Sequence, residues 1–270
     1  MPPLRCPLCH APLVLTQHAA SCEAGHSFDR ARTGYLNLLP VQHKHSRQPG
    51  DDAAMVRARS EFLEGGHYAP LRDALCDQLR ELKPPQMLDS GCGEGWYSAA
   101  FAACAGEVIA LDISKEAIRR AARRDPKITW LVASSAELPL ADASVDLMTA
   151  IFSPLKVSEA ARVLRPAGSV LVAVPDARHL WELRTLLYEE VRPHQPHKWQ
   201  AELAPWFDLH SETRVSFRLE LGDAAAVQSL LRMTPYAWHA TADRRATVAA
   251  LPALSVAVEF RILRFLRAAI

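Results

Sequence analysis

Residues Leu88-Asp89-Ser90-Gly91-Cys92-Gly93-Glu94-Gly95 constrain this chain more than any other stretch. Three glycines at alternate positions let a backbone turn sharply and pass close to a ligand. The loop stands between a short apolar run from residue 86 and a helical run, WYSAAFAAC. Strand and helix patterns then alternate: EVIALDIS, KEAIRRAARRD, ITWLVAS, SVDLMTAIF, SEAARVLRP and GSVLVAVP. Strands spaced by helices of about ten residues predict a parallel, doubly wound α/β sheet. Upstream, residues 53–64 and 69–82 read as helices, the second with Leu71, Leu75, Leu79 and Leu82 at helical spacing and Pro84-Pro85 as its stop. Downstream come a helical HLWELRTLLYEEV, an alternating TRVSFRLEL, a helical DAAAVQSLLRM and an apolar strand LSVAVEFRILRF.

The loop is G-x-G-x-G, with an Asp two residues before its first glycine. It resembles the S-adenosylmethionine loop of Rossmann-like methyltransferases. A dinucleotide fingerprint would read G-x-G-x-x-G and cradle a pyrophosphate; glycines and carboxylates here suit a ligand without phosphate, which argues against NAD. The next strand ends on Asp112, whose carboxylate suits the two hydroxyl donors of a ribose. Further resemblances follow in order. Residues 133–139, with Ser134 and Ser135, stand where the superfamily contacts adenine; Asp142–Asp146 and Arg162-Val163-Leu164-Arg165-Pro166-Ala167-Gly168 match later landmarks. The Asn/Asp-Pro-Pro-aromatic motif of amino-methylating members is replaced by Phe152-Ser153-Pro154, which fits a ring nitrogen or carbon as acceptor better.

A second constraint lies at the start. Cys6 and Cys9 are followed by Cys22 and His26, in a segment of about 36 residues too poor in apolar runs to build its own core. Two short-spaced pairs of sulfur and nitrogen ligands match tetrahedral zinc, and four protein ligands leave no open position, so the role is structural. His10 and His18 are alternative fourth ligands at poorer spacing. No apolar leader run precedes Cys6 and no run of eighteen apolar residues occurs, so a cytoplasmic chain with reduced thiols and no membrane span is expected. Cys76 and Cys104 read as core residues.

These features divide the 270 residues into a zinc-binding module over 1–36, a linker and helices over 37–85, and a methyltransferase domain over 86–270. Residues 176–212, rich in His and Trp, read as an insertion forming a lid, a substrate wall or a second core layer. Net charge is +1, which excludes a strongly basic, histone-like protein but not a local patch. Residues 1–50 carry Arg5, Arg30, Arg32, Lys44 and Arg47 against Glu23 and Asp29, the candidate phosphate contacts. Arg119, Arg120, Arg123 and Arg124 read as a solvated helix face.

The chain resembles bacterial 23S rRNA (guanine-N1) methyltransferases at close to full length. The stretches that carry this are Cys6-Pro7-Leu8-Cys9-His10, the run from Gly34 to Lys44, Gly66-His67-Tyr68 with Pro70-Leu71-Arg72, the glycine loop, Arg178-His179-Leu180, and Met233-Thr234-Pro235-Tyr236-Ala237-Trp238. The resemblance implies methylation of guanine N1 in a hairpin loop of 23S rRNA, a zinc module that helps hold RNA, and a homodimer with a basic cleft. Carried over by position, Tyr68, Asp89, Gly91, Gly93, Gly95, Tyr97, Ser98, Asp112, Ser134, Ser135 and His179 would bind S-adenosylmethionine. Trp96 and the Phe152-Ser153-Pro154 run depart from the family pattern. Phe152, Trp181, Tyr236 and Trp238 are candidate platforms for the base; no proton acceptor can be named from sequence. The alternative reading is a small-molecule methyltransferase, acting on a quinone or metabolite, with a structural zinc knuckle.

Overall fold

The computed structural model describes residues 3–40 and 49–268. It opens on an antiparallel sheet of β1 (Val14–Leu15), β2 (Ala19–Ser21) and β3 (Ser27–Asp29). β4 (Leu36–Asn37) then leaves this module and pairs in parallel with β7 (Thr129–Val132), becoming the edge of an eight-stranded sheet. Residue 36, the boundary expected from sequence, is therefore part of that sheet. The module is also docked by main-chain bonds: Arg5 N–H donates to the Pro139 carbonyl at 3.0 Å, and Ala141 N–H to that of Pro3 at 2.8 Å. Leu4, Leu13 and Ala20 are buried in one core with Leu138 and Leu140. So short a segment cannot bury its apolar side chains alone, and the neighbouring loop completes the job.

Helix α1 (Ala53–Glu64) starts where the Asp52 carboxylate accepts the N–H groups of Ala54 and Met55. In α2 (Ala69–Leu82) Leu71, Leu75 and Leu79 are buried, while Lys83 ends the helix in the left-handed conformation. The alternation follows as expected: β5 (Gln86–Ser90), α3 (Trp96–Phe101), β6 (Glu107–Asp112), α4 (Lys115–Ala121), β7, β8 (Val145–Ile151), α5 (Val157–Val163) and β9 (Leu164–Pro175). Alternate residues of β6 face opposite layers, Val108 and Ala110 into one core, Ile109 and Leu111 into the other. The helix expected over SEAARVLRP stops at Val163, because residues 164–166 enter β9.

The last third supplies α6 (Trp181–Leu187), α7 (Lys198–Leu203), β10 (Phe207–Leu221), α8 (Ala224–Met233), α9 (Tyr236–His239), α10 (Ala242–Ala249) and β11 (Leu254–Arg267). β11 runs antiparallel between β9 and β10, giving the order β10-β11-β9-β8-β5-β6-β7-β4. This is the Rossmann-like methyltransferase fold, with a mixed rather than wholly parallel sheet. The stretch 176–212 is only partly an insertion: α6 and α7 lie outside the sheet, but residues 207–212 begin β10, where alternation and pairing with β11 extend the strand. From β5 the chain winds outward to β7 and then crosses back to β8, so the sheet's switch point lies between β5 and β8. Ligands bind outside the carboxyl ends of strands at such a point. Among the described residues, no helix is long and apolar enough to cross a membrane.

Candidate active site and metal centre

A cavity of about 940 Å³ opens at that switch point. Tyr68, Asp89, Gly91, Gly93, Tyr97, Asp112, Ser134, Ser135 and His179 all line it, drawn from five separate stretches of chain. Gly95 and Ser98 do not. A Cβ on Gly95, at φ +78°, would lie 2.5 Å from the Trp130 ring and 2.8 Å from Ala121, so this glycine lets α3 pack against β7 and α4. Ser98 stands behind the wall and donates to Asp89 Oδ2 at 2.5 Å. Both are supports for the cavity rather than parts of its surface.

Asp112 is held at both oxygens. Its Oδ2 accepts from Gly93 N–H at 3.0 Å and its Oδ1 from Ser114 N–H at 2.7 Å. Each carboxylate oxygen keeps a second lone pair, so a ribose diol still finds acceptors there. Burial raises the Asp112 carboxyl, against the downward pull of the Ser114 and Gly93 amides. Gly91, at φ +75°, brings the loop so close to β8 that a Cβ would lie 2.3 Å from Ser153 Cβ. Ser153 in turn donates to the Ser90 carbonyl at 2.6 Å, clasping the ends of β5 and β8. These residues fit S-adenosylmethionine: a carboxylate for hydroxyls, a bare backbone turn, and an aromatic wall.

Asp89 is buried at the end of β5 and accepts from Ser98 and from Thr149 Oγ1, the latter at 2.8 Å. Burial pushes its carboxyl up to about 6, although both hydroxyls pull it down. A carboxyl raised in the folded state stabilises most below its unfolded value of about 4, and that stability is lost as pH rises through about 6. Relative to Asp89→Asn, the wild-type chain is therefore expected to lose roughly 1.4 kcal/mol between pH 5 and pH 7.5 in urea unfolding. Parallel stabilities across that range would contradict the assignment.

His179 is buried and packs 4.5 Å, centroid to centroid, from Phe260. Its Nδ1 accepts from Glu259 N–H at 3.3 Å, so the proton of the neutral ring resides on Nε2. Burial, with His194 and Arg184 near, lowers its pKa to about 3, so the ring is uncharged at neutral pH. Phe260 gathers the aromatic wall, at 5.0 Å from Tyr68 and 5.1 Å from Phe152. Nothing in the sequence singled out Phe260, since it reads as one more apolar residue in β11. Arg59, paired with Asp51, and Trp199 also line the cavity and were not foreseen individually. Of the candidate platforms, Phe152, Tyr236 and Trp238 line it, and Trp238 is 65% exposed at its rim. Trp181 does not; its ring stacks under Arg178 and Arg184, where cation–π contact holds it.

The other candidate centre lies in the N-terminal module. One ligand atom each from Cys6, Cys9, Cys22 and His26 lies within 4.8 Å of all the others. Cys9 and Cys22 sulfurs are 3.6 Å apart, and His26 Nδ1 is 3.5 Å from the sulfurs of both Cys6 and Cys22. Tetrahedral zinc, with bonds of about 2.3 Å to sulfur and about 2.0 Å to nitrogen, sets its ligands about 3.5–3.8 Å apart. The donor set and its spacing fit that ion. His10 and His18 fall outside the cluster. Arg5 is committed to Asp142 at 2.8 Å and Arg30 to the Gly34 carbonyl at 2.9 Å; Arg32 is exposed, and Lys44 and Arg47 lie outside the described residues. Of the four arginines on and just after α4, Arg119 and Arg123 are exposed, but Arg120 and Arg124 are not simply solvated. Arg120 and Arg124 both donate to Ser60, and Arg124 reaches Glu64 and the Glu94 carbonyl, strapping α1 to the glycine loop.

Comparison with known proteins finds matches for both regions of the chain. Residues 4–47 match the zinc-ribbon family described as "RlmA, N-terminal", and residues 87–171 match the one described as "Methyltransferase domain". A "23S rRNA (guanine(748)-N(1))-methyltransferase" from Streptomyces fradiae is 36% identical over 97% of this chain and 96% of its own length. The chain belongs to the 23S rRNA (guanine-N1) methyltransferase family. A second relative, named "Putative 23S rRNA (guanine-N(1)-)-methyltransferase", from Micromonospora griseorubida, is 38% identical over 93% of this chain and 92% of its own. In structure, a protein of Pyrococcus horikoshii OT3 matches with a TM-score of 0.51 at 16% identity, covering 76% of this chain and 91% of the other. That likeness concerns the fold alone. Membership of the guanine-N1 methyltransferase family brings S-adenosylmethionine and zinc as its two cofactors.

Proposed function

We propose that the chain transfers a methyl group from S-adenosylmethionine to N1 of a guanine in 23S rRNA. The observation that carries this reading is the near-full-length likeness to the Streptomyces fradiae enzyme, zinc ribbon included. A small-molecule methyltransferase would have no need of that module. The same family resemblance supports a hairpin loop as the RNA element, a homodimer and a cytoplasmic location.

Bound S-adenosylmethionine supplies a methyl group activated by its sulfonium. Asp112 holds the ribose hydroxyls, the bare turn at Gly91 and Gly93 lets the ligand approach the backbone, and Ser134 and Ser135 border the adenine. His179 offers a neutral N–H donor from the opposite wall. Guanine N1 lies on the pairing edge, so the base must enter unpaired or flipped. Phe152, Tyr236 and Trp238 offer it flat surfaces, with stacking worth about 1–3 kcal/mol per base. Orientation is the main contribution of the walls, because in-line displacement gains most from alignment. The four metal ligands would hold zinc as a structural crosslink, docking the module on residues 138–142, directly after the serine loop.

Primer extension on rRNA from a strain lacking this protein tests the reading. Methylation at N1 blocks base pairing and stops reverse transcription. One stop is expected to vanish in the deletion strain and return on complementation. An unchanged stop pattern, with turnover on a small acceptor in the absence of RNA, would refute the proposal.

A further inference from the structure

Guanine N1 bears a proton at neutral pH, and that proton must leave as the methyl arrives. The cavity's carboxylates are poorly placed to take it. Asp112 accepts from two main-chain amides and turns its remaining lone pairs to the ribose diol, Asp89 accepts from two hydroxyls, and Asp51 is paired with Arg59. Glu94, the fourth carboxylate of the lining, sits in the glycine loop itself, so all four belong to the side where the cofactor is read to lie. His179 presents an N–H, which donates and cannot accept. Outside the glycine-loop side, α9 carries Tyr236, half-buried and part of the lining. Its hydroxyl lies 2.8 Å from His194 Nε2. The main chain at Tyr236 is fixed separately, since Tyr188 Oη donates to the Tyr236 carbonyl at 2.6 Å. The phenol–imidazole contact is thus not what anchors the helix.

We infer that Tyr236 and His194 form a proton relay, with Tyr236 Oη accepting the N1 proton of guanine and passing its own to His194 Nε2. The inference rests on the guanine-N1 reading above. In the step, N1 gains the methyl carbon as the carbon–sulfur bond of S-adenosylmethionine breaks, leaving S-adenosylhomocysteine. The N1–H bond breaks, its proton binds Tyr236 Oη, and the phenolic proton moves to His194. The positive charge lost from sulfur reappears on imidazolium, so charge balances.

The surroundings suit this task. Burial raises Tyr236 to about 12, so at neutral pH the phenol is whole and needs a partner to take its proton. Burial, reinforced by Arg184, lowers His194 to about 4, leaving Nε2 free to accept. Tyr68, Tyr188 and His179 are the other titratable groups near the pair. A base this weak suffices, because the proton on a nitrogen already gaining a methyl is far more acidic than imidazolium. Arg184 stacks 5.5 Å from the Tyr236 ring centroid, and its Nε and Nη1 are buried without hydrogen-bond partners among the described residues. This cation, held by the Arg192 carbonyl and by aromatic rings but by no carboxylate among the described residues, then drives the proton off His194 to solvent, which resets the relay. Tyr236 is the catalytic residue here, and His194 acts through it as a positioning and proton-holding residue.

The test combines kinetics with a measurement that needs no substrate. Tyr236→Phe keeps the ring and the carbonyl that holds Tyr188, and should lower single-turnover methylation of rRNA by about 100-fold. His194→Gln keeps a hydrogen-bond acceptor but cannot take a proton, and should lower it by about tenfold or more. Affinity for S-adenosylmethionine by calorimetry and for rRNA by filter binding should stay within about twofold in both. Nitrogen-15 NMR of the wild-type chain at pH 7 should show His194 protonated on Nδ1 and bare at Nε2. A proton on Nε2, a Tyr236→Phe rate near wild type, or a loss confined to His239→Gln, at a histidine that lines the cavity from the end of α9, would overturn the relay. Absence of N1-methylguanine in the wild-type product would instead refute the guanine reading.

Discussion

Alanine at position 91 is expected to abolish S-adenosylmethionine binding. Two costs coincide at Gly91. Its φ of +75° lies in the left-handed region, where a Cβ costs about 1 kcal/mol or more. The added carbon would also lie 2.3 Å from Ser153 Cβ and 2.7 Å from Ser153 Oγ. Ser153 cannot retreat cheaply, because it is bonded to Ser90 and follows Phe152, itself at φ +55°. Relief must come from parting the ends of β5 and β8, the two strands that frame the cavity. Calorimetry on Gly91→Ala should show affinity reduced by more than about 100-fold, the effect of roughly 3 kcal/mol of misplacement. Binding within tenfold of wild type would mean that the loop can relax without moving the cofactor site.

Loss of zinc should have the larger effect on structure but a smaller one on the cofactor. Structural zinc sites contribute apparent free energies of about 10–16 kcal/mol, and the ligands must be thiolates and neutral imidazole. Cys22 is already lowered to about 7: burial opposes this, and hydrogen bonds from the His26 backbone and the Cys9 side chain outweigh it. Cys22→Ser, or exhaustive chelation, should release one zinc per chain and melt residues 4–30. Methylation of rRNA should be lost, while affinity for S-adenosylmethionine falls only several-fold through loosening of the 138–142 loop. Retained RNA methylation in a zinc-free chain would remove the module from substrate recognition. Deleting residues 1–36 is a poorer test, because it strips β4 from the sheet and uncovers Leu138 and Leu140.

Features fixed by neighbours in sequence were readable before the fold. The glycine loop, Asp112 at a strand end and the paired metal ligands each depend on spacings of a few residues. The choice among His10, His18 and His26 was harder, and the turn that carries His26 back to Cys6 decides it. Features fixed by long-range pairing were not readable. Phe260 enters the aromatic wall only because β11 inserts antiparallel beside β9, and Trp181 stands outside it, with two arginines against its ring. Gly95 and Ser98 share a motif with cavity residues, yet α3 turns them toward packing and support. Arg120 and Arg124 read as solvated because their partners, Ser60 and Glu64, lie some sixty residues away.

The docking of the metal module on residues 138–142 also orders events on the ribosome. Roughly 100 residues separate β4 from Leu140, so at about 5–20 residues per second the module leaves the tunnel on the order of 5–20 s before its partner surface. During that interval Leu4, Leu13 and Ala20 have no cover from Leu138 and Leu140. Metal capture is then the only strong constraint holding the nascent knuckle together. Cells short of zinc should therefore lose this protein at birth, through aggregation or proteolysis of unfinished chains, more than through inactivation of the mature enzyme.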